Sequence, residues 1–75
     1  MTILIPGETV VCATACEVLP KFGLAFLVDD FDRTWTVTRG TLGPGLESLR
    51  EGQRVTLTVA QRPTFAVAVG YAPAH

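Results

Sequence analysis

Asp29, Asp30 and Asp32 form the densest group of side chains that could bind a cation or transfer a proton. A calcium loop needs more oxygen ligands at defined spacing, together with a glycine turn and a distal bidentate glutamate. None of these follows the cluster in the sequence. Because aspartate is common in tight turns, the cluster predicts a solvent-exposed hairpin turn and no metal site.

Cys12 and Cys16 are the next candidates, since thiols can pair, bind metals or act as nucleophiles. If both lie on one strand, their Cα atoms are about 13 Å apart, at about 3.3 Å per residue. A disulfide requires Cα atoms within about 7 Å, so the two thiols are predicted not to bridge each other. The only histidine, His75, is the last residue of the sequence, which disfavours a Cys/His metal site. We therefore expect both cysteines to be small, packed, apolar side chains.

No combination of a nucleophile, a base and an orienting group is evident in the sequence. Ser48 falls in a turn motif that is described below, and the cysteines lack an evident base. The sequence also has no glycine motif of the kind that binds phosphates. These observations predict a protein that is not an enzyme and needs no cofactor.

The composition predicts one small folded domain over residues 1–75. Hydrophobic residues make up 48% of the 75 residues and charged residues 17%, which is too apolar for a disordered chain. The net charge of −1 argues against a strongly basic protein that binds polyanions nonspecifically. No apolar run reaches the roughly 20 residues of a membrane span, and the first six residues lack the basic start of a signal peptide. We expect a cytoplasmic protein that does not bind membranes.

Five short stretches of alternating or β-branched residues predict strands, and glycine and proline separate them. The stretches cover residues 9–18, 23–29, 34–38, 55–60 and 65–71, while residues 46–52 allow one or two helical turns. Such a pattern indicates an all-β fold, a small five-stranded antiparallel barrel. The side chains predicted to point inward are Trp35, Val37, Val55, Leu57, Val67 and Val69. The indole N–H of Trp35 is expected to donate to a carbonyl group.

The sequence Ser48-Leu49-Arg50-Glu51-Gly52-Gln53-Arg54-Val55 resembles the turn that leads into the fourth strand of cold-shock domains. Residues 23–27 look like the second strand of that family, and residues 13–18 and 35–39 match the strands on either side of it. The resemblance covers about residues 9–72. It implies a cold-shock-domain-like OB-fold barrel that binds single-stranded RNA or DNA by stacking bases on exposed aromatic rings.

Most of the aromatic positions that this resemblance implies are occupied by other residue types. Where cold-shock domains have Trp, Phe, Phe, His and Phe, this sequence has Glu17, Leu24, Thr36, Thr38 and Arg39. Only Phe26 keeps a ring, so we expect weak binding, because stacking contributes about 1–3 kcal/mol per base. The residues expected to contact a nucleic acid or another partner are Lys21, Leu24, Phe26, Val28, Arg33, Thr36, Thr38 and Arg39.

A second function is compatible with the same barrel. In the register that the resemblance implies, Leu24, Phe26 and Val28 point outward, while Ala25 and Leu27 point to the core. Exposed apolar patches often mark protein contacts, so the alternative is a protein-interaction module, for example a homodimer. A third interpretation is that residues 1–8 fold over the patch. Weak single-strand binding is placed first at this stage, because most cold-shock domains bind single strands.

Overall fold

Five antiparallel strands in one sheet dominate residues 7–74, which are the residues that the computed structural model describes. The strands are β1 (Glu8–Leu19), β2 (Leu24–Asp29), β3 (Thr34–Thr38), β4 (Arg54–Gln61) and β5 (Ala66–Pro73). Two single turns of 3-10 helix, Pro20–Phe22 and Leu46–Ser48, lie in the connections. Within these residues no helix has the length and apolar character needed to cross a membrane. The predicted all-β fold is confirmed.

The strand order in the sheet is β3-β2-β1-β4-β5, so the long β1 lies in the middle and pairs with both β2 and β4. The sheet curls strongly, which brings β3 and β5 together although they are its two outer strands. Leu42, in the connection after β3, forms a parallel bridge with Gly70 of β5. Its N–H donates to the carbonyl of Val69 at 3.3 Å, and its carbonyl accepts the N–H of Tyr71 at 2.8 Å. This arrangement is consistent with a small OB-like barrel.

The core lies inside the curled sheet and combines small residues on some strands with large residues on others. The buried apolar side chains are Ala13, Ala15, Ala25, Leu27, Trp35, Val37, Leu46, Leu49, Val55, Leu57, Val59, Ala60, Ala68 and Tyr71. Alanine occurs on β1, β2 and β5 because the narrow interior of a small barrel leaves room for few large side chains. The predicted inward orientation of Trp35, Val37, Val55 and Leu57 is confirmed.

The predicted inward orientation of Val67 and Val69 is wrong. Both side chains are only partly buried, whereas Ala68 and Tyr71 are buried. The cause is a β-bulge: Thr58 pairs with Gly70, but the next residue of β4 pairs with Ala68, so Val69 is an extra residue. Because a bulge adds one residue to one strand, the period of two breaks at that point.

Candidate binding face

A second bulge, in β1, determines which side chains reach the outer surface of the sheet. Ala15 pairs with Leu27 and Glu17 pairs with Phe26, which leaves Cys16 unpaired. Thr14 and Glu17 therefore both point outward although they are three residues apart. We call nine outward residues, from the part of the sheet where β1, β2 and β3 pair, the binding face: Thr14, Glu17, Leu19, Leu24, Phe26, Val28, Thr34, Thr36 and Thr38.

The binding face consists of three rows that run across the strands. Strand pairing gives the rows Leu19–Leu24–Thr38, Glu17–Phe26–Thr36 and Thr14–Val28–Thr34. The middle column, from β2, is apolar, and the column from β3 carries three exposed threonines. The surface thus offers an apolar strip, which is the column from β2, with a column of hydroxyl groups from β3 along one side.

The register predicted for β2 is confirmed. Ala25 and Leu27 are fully buried, while Leu24, Phe26 and Val28 are partly exposed on the other side of the strand. Of the predicted site residues, the structure brings these three together with Thr36 and Thr38 on one surface. The three predicted basic residues lie at the borders of that surface.

Arg33 lies at the start of β3, and its side chain is directed back over the hairpin. Its Nε is 3.5 Å from Oδ2 of Asp29, and its guanidinium lies 5.9 Å from the ring centroids of both Phe31 and Trp35. Asp29 thus offsets part of the charge of Arg33, while 62% of the arginine side chain stays exposed at the border of the face.

Arg39 follows β3 and extends across the end of the sheet. Its Nη2 donates to the carbonyl of Pro20, and its guanidinium covers Gly23, where an added Cβ would lie 2.6 Å from Nη1. Gly23 has a φ of 72°, in the left-handed region that favours glycine. The side chain of Lys21 is exposed in the same turn, immediately beyond the Leu19–Leu24 row.

Arg54 is a residue at the border of the face that sequence reasoning missed. Its Nη1 and Nη2 donate to the two carboxylate oxygens of Asp30 at 2.9 and 3.0 Å, and Nη1 also donates to Thr14 Oγ1 at 3.0 Å. The guanidinium holds the pKa of Asp30 below its ordinary value, because it donates hydrogen bonds to the charged carboxylate. Arg54 is therefore, like Arg33, paired with a carboxylate of the β2–β3 hairpin.

Asp29 corrects the prediction that the acidic cluster is a solvent-exposed turn. Its side chain is buried and accepts the N–H groups of Phe31 and Arg33 at 2.8 and 2.9 Å. The indole Nε1–H of Trp35 donates to its other oxygen at 2.9 Å, so the acceptor is a carboxylate and not the predicted carbonyl. The pKa of Asp29 is lowered, chiefly because this indole hydrogen bond stabilises the charged form. Asp30 and Asp32, which has a φ of 64°, are exposed in the turn, as predicted.

Both cysteines lie on β1, as predicted, but the prediction that they are packed is wrong. Cys12 is opposite Thr56 on the outer surface, and Cys16 is the extra residue of the bulge, so both thiols are free and exposed. No group of three or more His, Cys, Asp or Glu side chains within residues 7–74 could hold a metal. His75 lies outside the described residues.

The interpretation that residues 1–8 cover the apolar strip does not hold for the last two of them. Glu8 pairs with Ala60 of β4, and Gly7 accepts the N–H of Gln61, so both lie on the far side of β1 from β2. Residues 1–6 are outside the described part of the chain.

A shallow groove of about 560 Å³ lies on the outer surface of β4 and β5. Thr56, Thr58 and Gly70 form its floor, and the exposed side chain of Leu42 is at its border. Glu8 is its only charged lining residue within the described chain. The groove thus lacks the converging polar groups that fix a small ligand, and the binding face is the stronger candidate.

The chain matches no protein-family model, no curated protein and no solved structure. Its resemblance to cold-shock domains stays a prediction from the residues themselves.

Proposed function

We propose that the chain is a non-catalytic interaction module whose binding face contacts another polypeptide. The observation that carries this proposal is the apolar column Leu24, Phe26 and Val28, which is partly exposed and is flanked by uncharged threonines on β3. Partial exposure of neighbouring apolar side chains on one sheet surface is typical of protein contacts. The threonine hydroxyls would supply hydrogen bonds at the edge of such a contact.

The charges around the face support a polypeptide in preference to a nucleic acid. Affinity for a single strand depends on cations that neutralise phosphates. Arg33 and Arg54 are paired with carboxylates, and Glu17 lies directly opposite Phe26, where it would repel a backbone phosphate. Binding of a polypeptide does not require cations that are unpaired, so the pairing of Arg33 and Arg54 does not weaken it.

Weak binding of single-stranded RNA or DNA is the second candidate. The partly exposed ring of Phe26 at the centre of the face favours it, because one stacked base contributes about 1–3 kcal/mol. Lys21 is exposed, and the hydrogen-bond acceptor of Arg39 is a neutral carbonyl, which does not offset the positive charge of its guanidinium. This candidate would use a single stacking platform and two cations.

We also propose that the module acts in the cytoplasm. Cys12 and Cys16 are exposed thiols that do not bridge each other. Exposed thiols persist in reducing compartments and are oxidised readily outside them. Alkylation of living cells with a membrane-permeant and a membrane-impermeant maleimide tests the location, since only the permeant reagent should label Cys12 and Cys16.

Site-specific photo-crosslinking in cells that produce the protein separates the two functions. A benzophenone amino acid is placed at Thr36, on the face, and as a control at Leu42, which is 78% exposed on another surface. We expect a Thr36 adduct that protease removes and nuclease does not, and that Leu24→Asp abolishes. A nuclease-sensitive adduct would establish the second candidate instead. Equal labelling from both positions would overturn the assignment of this face.

Titration of a labelled oligothymidine at low and moderate salt tests the second candidate directly. If the strand stacks on the face, Phe26→Ala weakens binding about tenfold or more, and added salt weakens it further. Phe65→Ala is the matched control, because it removes an equally large ring that is 58% exposed at the β4–β5 turn. On the primary proposal, no variant and no salt concentration gives binding tighter than about 1 mM.

A further inference from the structure

We infer that the partner on the binding face is a second copy of this chain, docked face to face about a two-fold axis. This inference rests on the proposed function, namely that the face contacts a polypeptide. In a two-fold interface each surface contacts itself, so any residue i that meets residue j is matched by j meeting i. A face that forms such a contact must therefore be self-complementary in charge as well as apolar.

Glu17 on the binding face and Lys21 in the adjoining turn provide this self-complementarity. Among residues 7–74 neither side chain has an ion-pair partner or a side-chain hydrogen bond, in contrast to Arg33, Arg39 and Arg54. This end of the face thus presents one unpaired acid and one unpaired base. An unrelated partner would have to supply a base opposite Glu17 and an acid opposite Lys21, whereas a second copy carries both of these residues itself.

The positions of the two charges fit a two-fold axis. Glu17 lies in the row next to Leu19–Leu24, and Lys21 lies beyond that row on its opposite side, in the connecting turn. Neighbouring rows are roughly 6–7 Å apart. An axis along the Leu19–Leu24 row places Glu17 of each protomer opposite Lys21 of the partner subunit. The same rotation packs Leu24 against Leu24 of the partner subunit, so the apolar contact lies between the two ion pairs.

The size of the face predicts a weak dimer. Nine residues on three strands span roughly 14 Å by 20 Å, or about 280 Å² in projection. The adjoining turn extends this area and includes Phe22, which is 76% exposed. Stable interfaces bury about 800 Å² on each partner, so this one belongs to the small, transient class and depends on concentration.

Sedimentation equilibrium of the full chain over a range of concentrations tests the inference, with folding of each variant checked by circular dichroism. We expect a monomer–dimer equilibrium, which Leu24→Asp abolishes because it places a charge against its own copy. Leu42→Asp is the matched control: it adds the same charge at an exposed leucine away from the face, and it should leave the equilibrium unchanged.

A charge exchange identifies the second copy as the partner. Glu17→Lys alone and Lys21→Glu alone each place like charges opposite one another, so each should weaken self-association about tenfold. Mixing the two variants should restore association, because every contact in the mixed dimer then joins a lysine to a glutamate. If the partner is any other molecule, we do not expect the mixture to associate more strongly than each variant alone.

A monomer at all concentrations up to about 1 mM would overturn the inference. So would a dimer that Leu24→Asp leaves intact, or variants whose mixture associates no better than each alone. Failure of the proposed function gives a different result. In that case the Thr36 crosslink described above is absent or sensitive to nuclease. A monomeric protein that still yields a protease-sensitive crosslink at Thr36 therefore contradicts the second copy alone.

Discussion

Asp29 joins the two strands of the β2–β3 hairpin through a single carboxylate. One of its oxygens accepts two backbone N–H groups of the turn, and the other accepts the indole N–H of Trp35 and lies beside Arg33. Buried carboxylates persist only when their hydrogen-bonding capacity is satisfied, and here both oxygens are used. The buried carboxylate of Asp29 therefore fixes the turn that follows β2.

The pKa of Asp29 predicts how stability depends on pH. Its folded-state pKa is lowered from the ordinary value of 3.8, so ionised Asp29 stabilises the fold above that pH. This contribution is lost as the pH falls through the lowered pKa. Free energies of unfolding measured by urea denaturation should therefore decrease below about pH 4 in the wild type. Asp29→Asn should be less stable at neutral pH and should show a smaller decrease in acid.

Asp32→Asn is the charge-matched control for this experiment. It removes one carboxylate from the same turn and keeps all hydrogen bonds to Trp35, and asparagine tolerates the positive φ of 64°. Identical pH dependence in the two variants would show that Asp29 does not carry the effect. Asp30 also contributes to acid sensitivity, because Arg54 lowers its pKa, so some pH dependence should remain in Asp29→Asn.

The sequence contained a signal for the burial of Asp29 that the turn interpretation passed over. The register that the resemblance implies places Ala25 and Leu27 in the core, and the period of two then places Asp29 inward as well. The buried indole of Trp35 also required an acceptor. The cluster predicts a solvent-exposed turn because aspartate is common in turns, and only the fold shows that the carboxylate of Asp29 is the acceptor of the Trp35 indole N–H.

The two bulges decide which residues of β1 and β5 face the core. Alternation alone could not locate them, because β5 is apolar on both sides: alanines alternate with valines. The sequence pattern predicts the larger valines in the core. The interior is already filled by large side chains such as Trp35 and Leu57, so β5 contributes the small side chain of Ala68 at this point. Strands with polar residues on one side, such as β3, were predicted correctly because only one side can be buried.

The connection between β3 and β4 packs on β5 through a glycine. A Cβ on Gly43 would lie 2.4 Å from Cε1 of Tyr71, whose hydroxyl oxygen accepts the N–H of Gly45 at 3.1 Å. Gly43→Ala should therefore lower the free energy of unfolding by about 1–3 kcal/mol, because the ring is buried and has little space to move. Urea denaturation measures the change.

Gly40→Ala is the control in the same connection. A Cβ there would lie 3.6 Å from Thr38 Oγ1, an ordinary contact, so this variant should be close to the wild type in stability. Equal losses in the two variants would mean that general stiffening of the connection, and not the Tyr71 contact, is responsible.

At the scale of the whole molecule, the curled sheet is closed by the backbone of one residue. Leu42 donates to Val69 and accepts from Tyr71 across the gap between the two outer strands. Leu42→Pro removes the donor and should cost about 1–2 kcal/mol of stability. It should also speed hydrogen exchange of the Tyr71 amide. Leu42→Ala keeps the N–H and removes only a side chain that is 78% exposed, so it should leave both quantities nearly unchanged.

The number and the positions of the strands could be predicted from the sequence because each strand carries a local signal and glycine or proline marks each break. The closure through Leu42 could not, since a single bridging residue leaves no periodic pattern. The binding face was likewise predictable only in part. Its apolar column followed from the register of β2, whereas the contacts of Arg39 with Pro20 and of Arg54 with Asp30 join residues distant in sequence.

Trp35 gives the molecule an intrinsic optical reporter. It is the only tryptophan, it is 8% exposed, and its indole N–H is bound to Asp29. Its fluorescence should therefore have the short emission wavelength of a sheltered indole and should move to longer wavelength when the β2–β3 hairpin opens. The ring points away from the binding face, so occupation of that face should leave the spectrum nearly unchanged. Binding and unfolding can thus be followed separately in one sample without an added label.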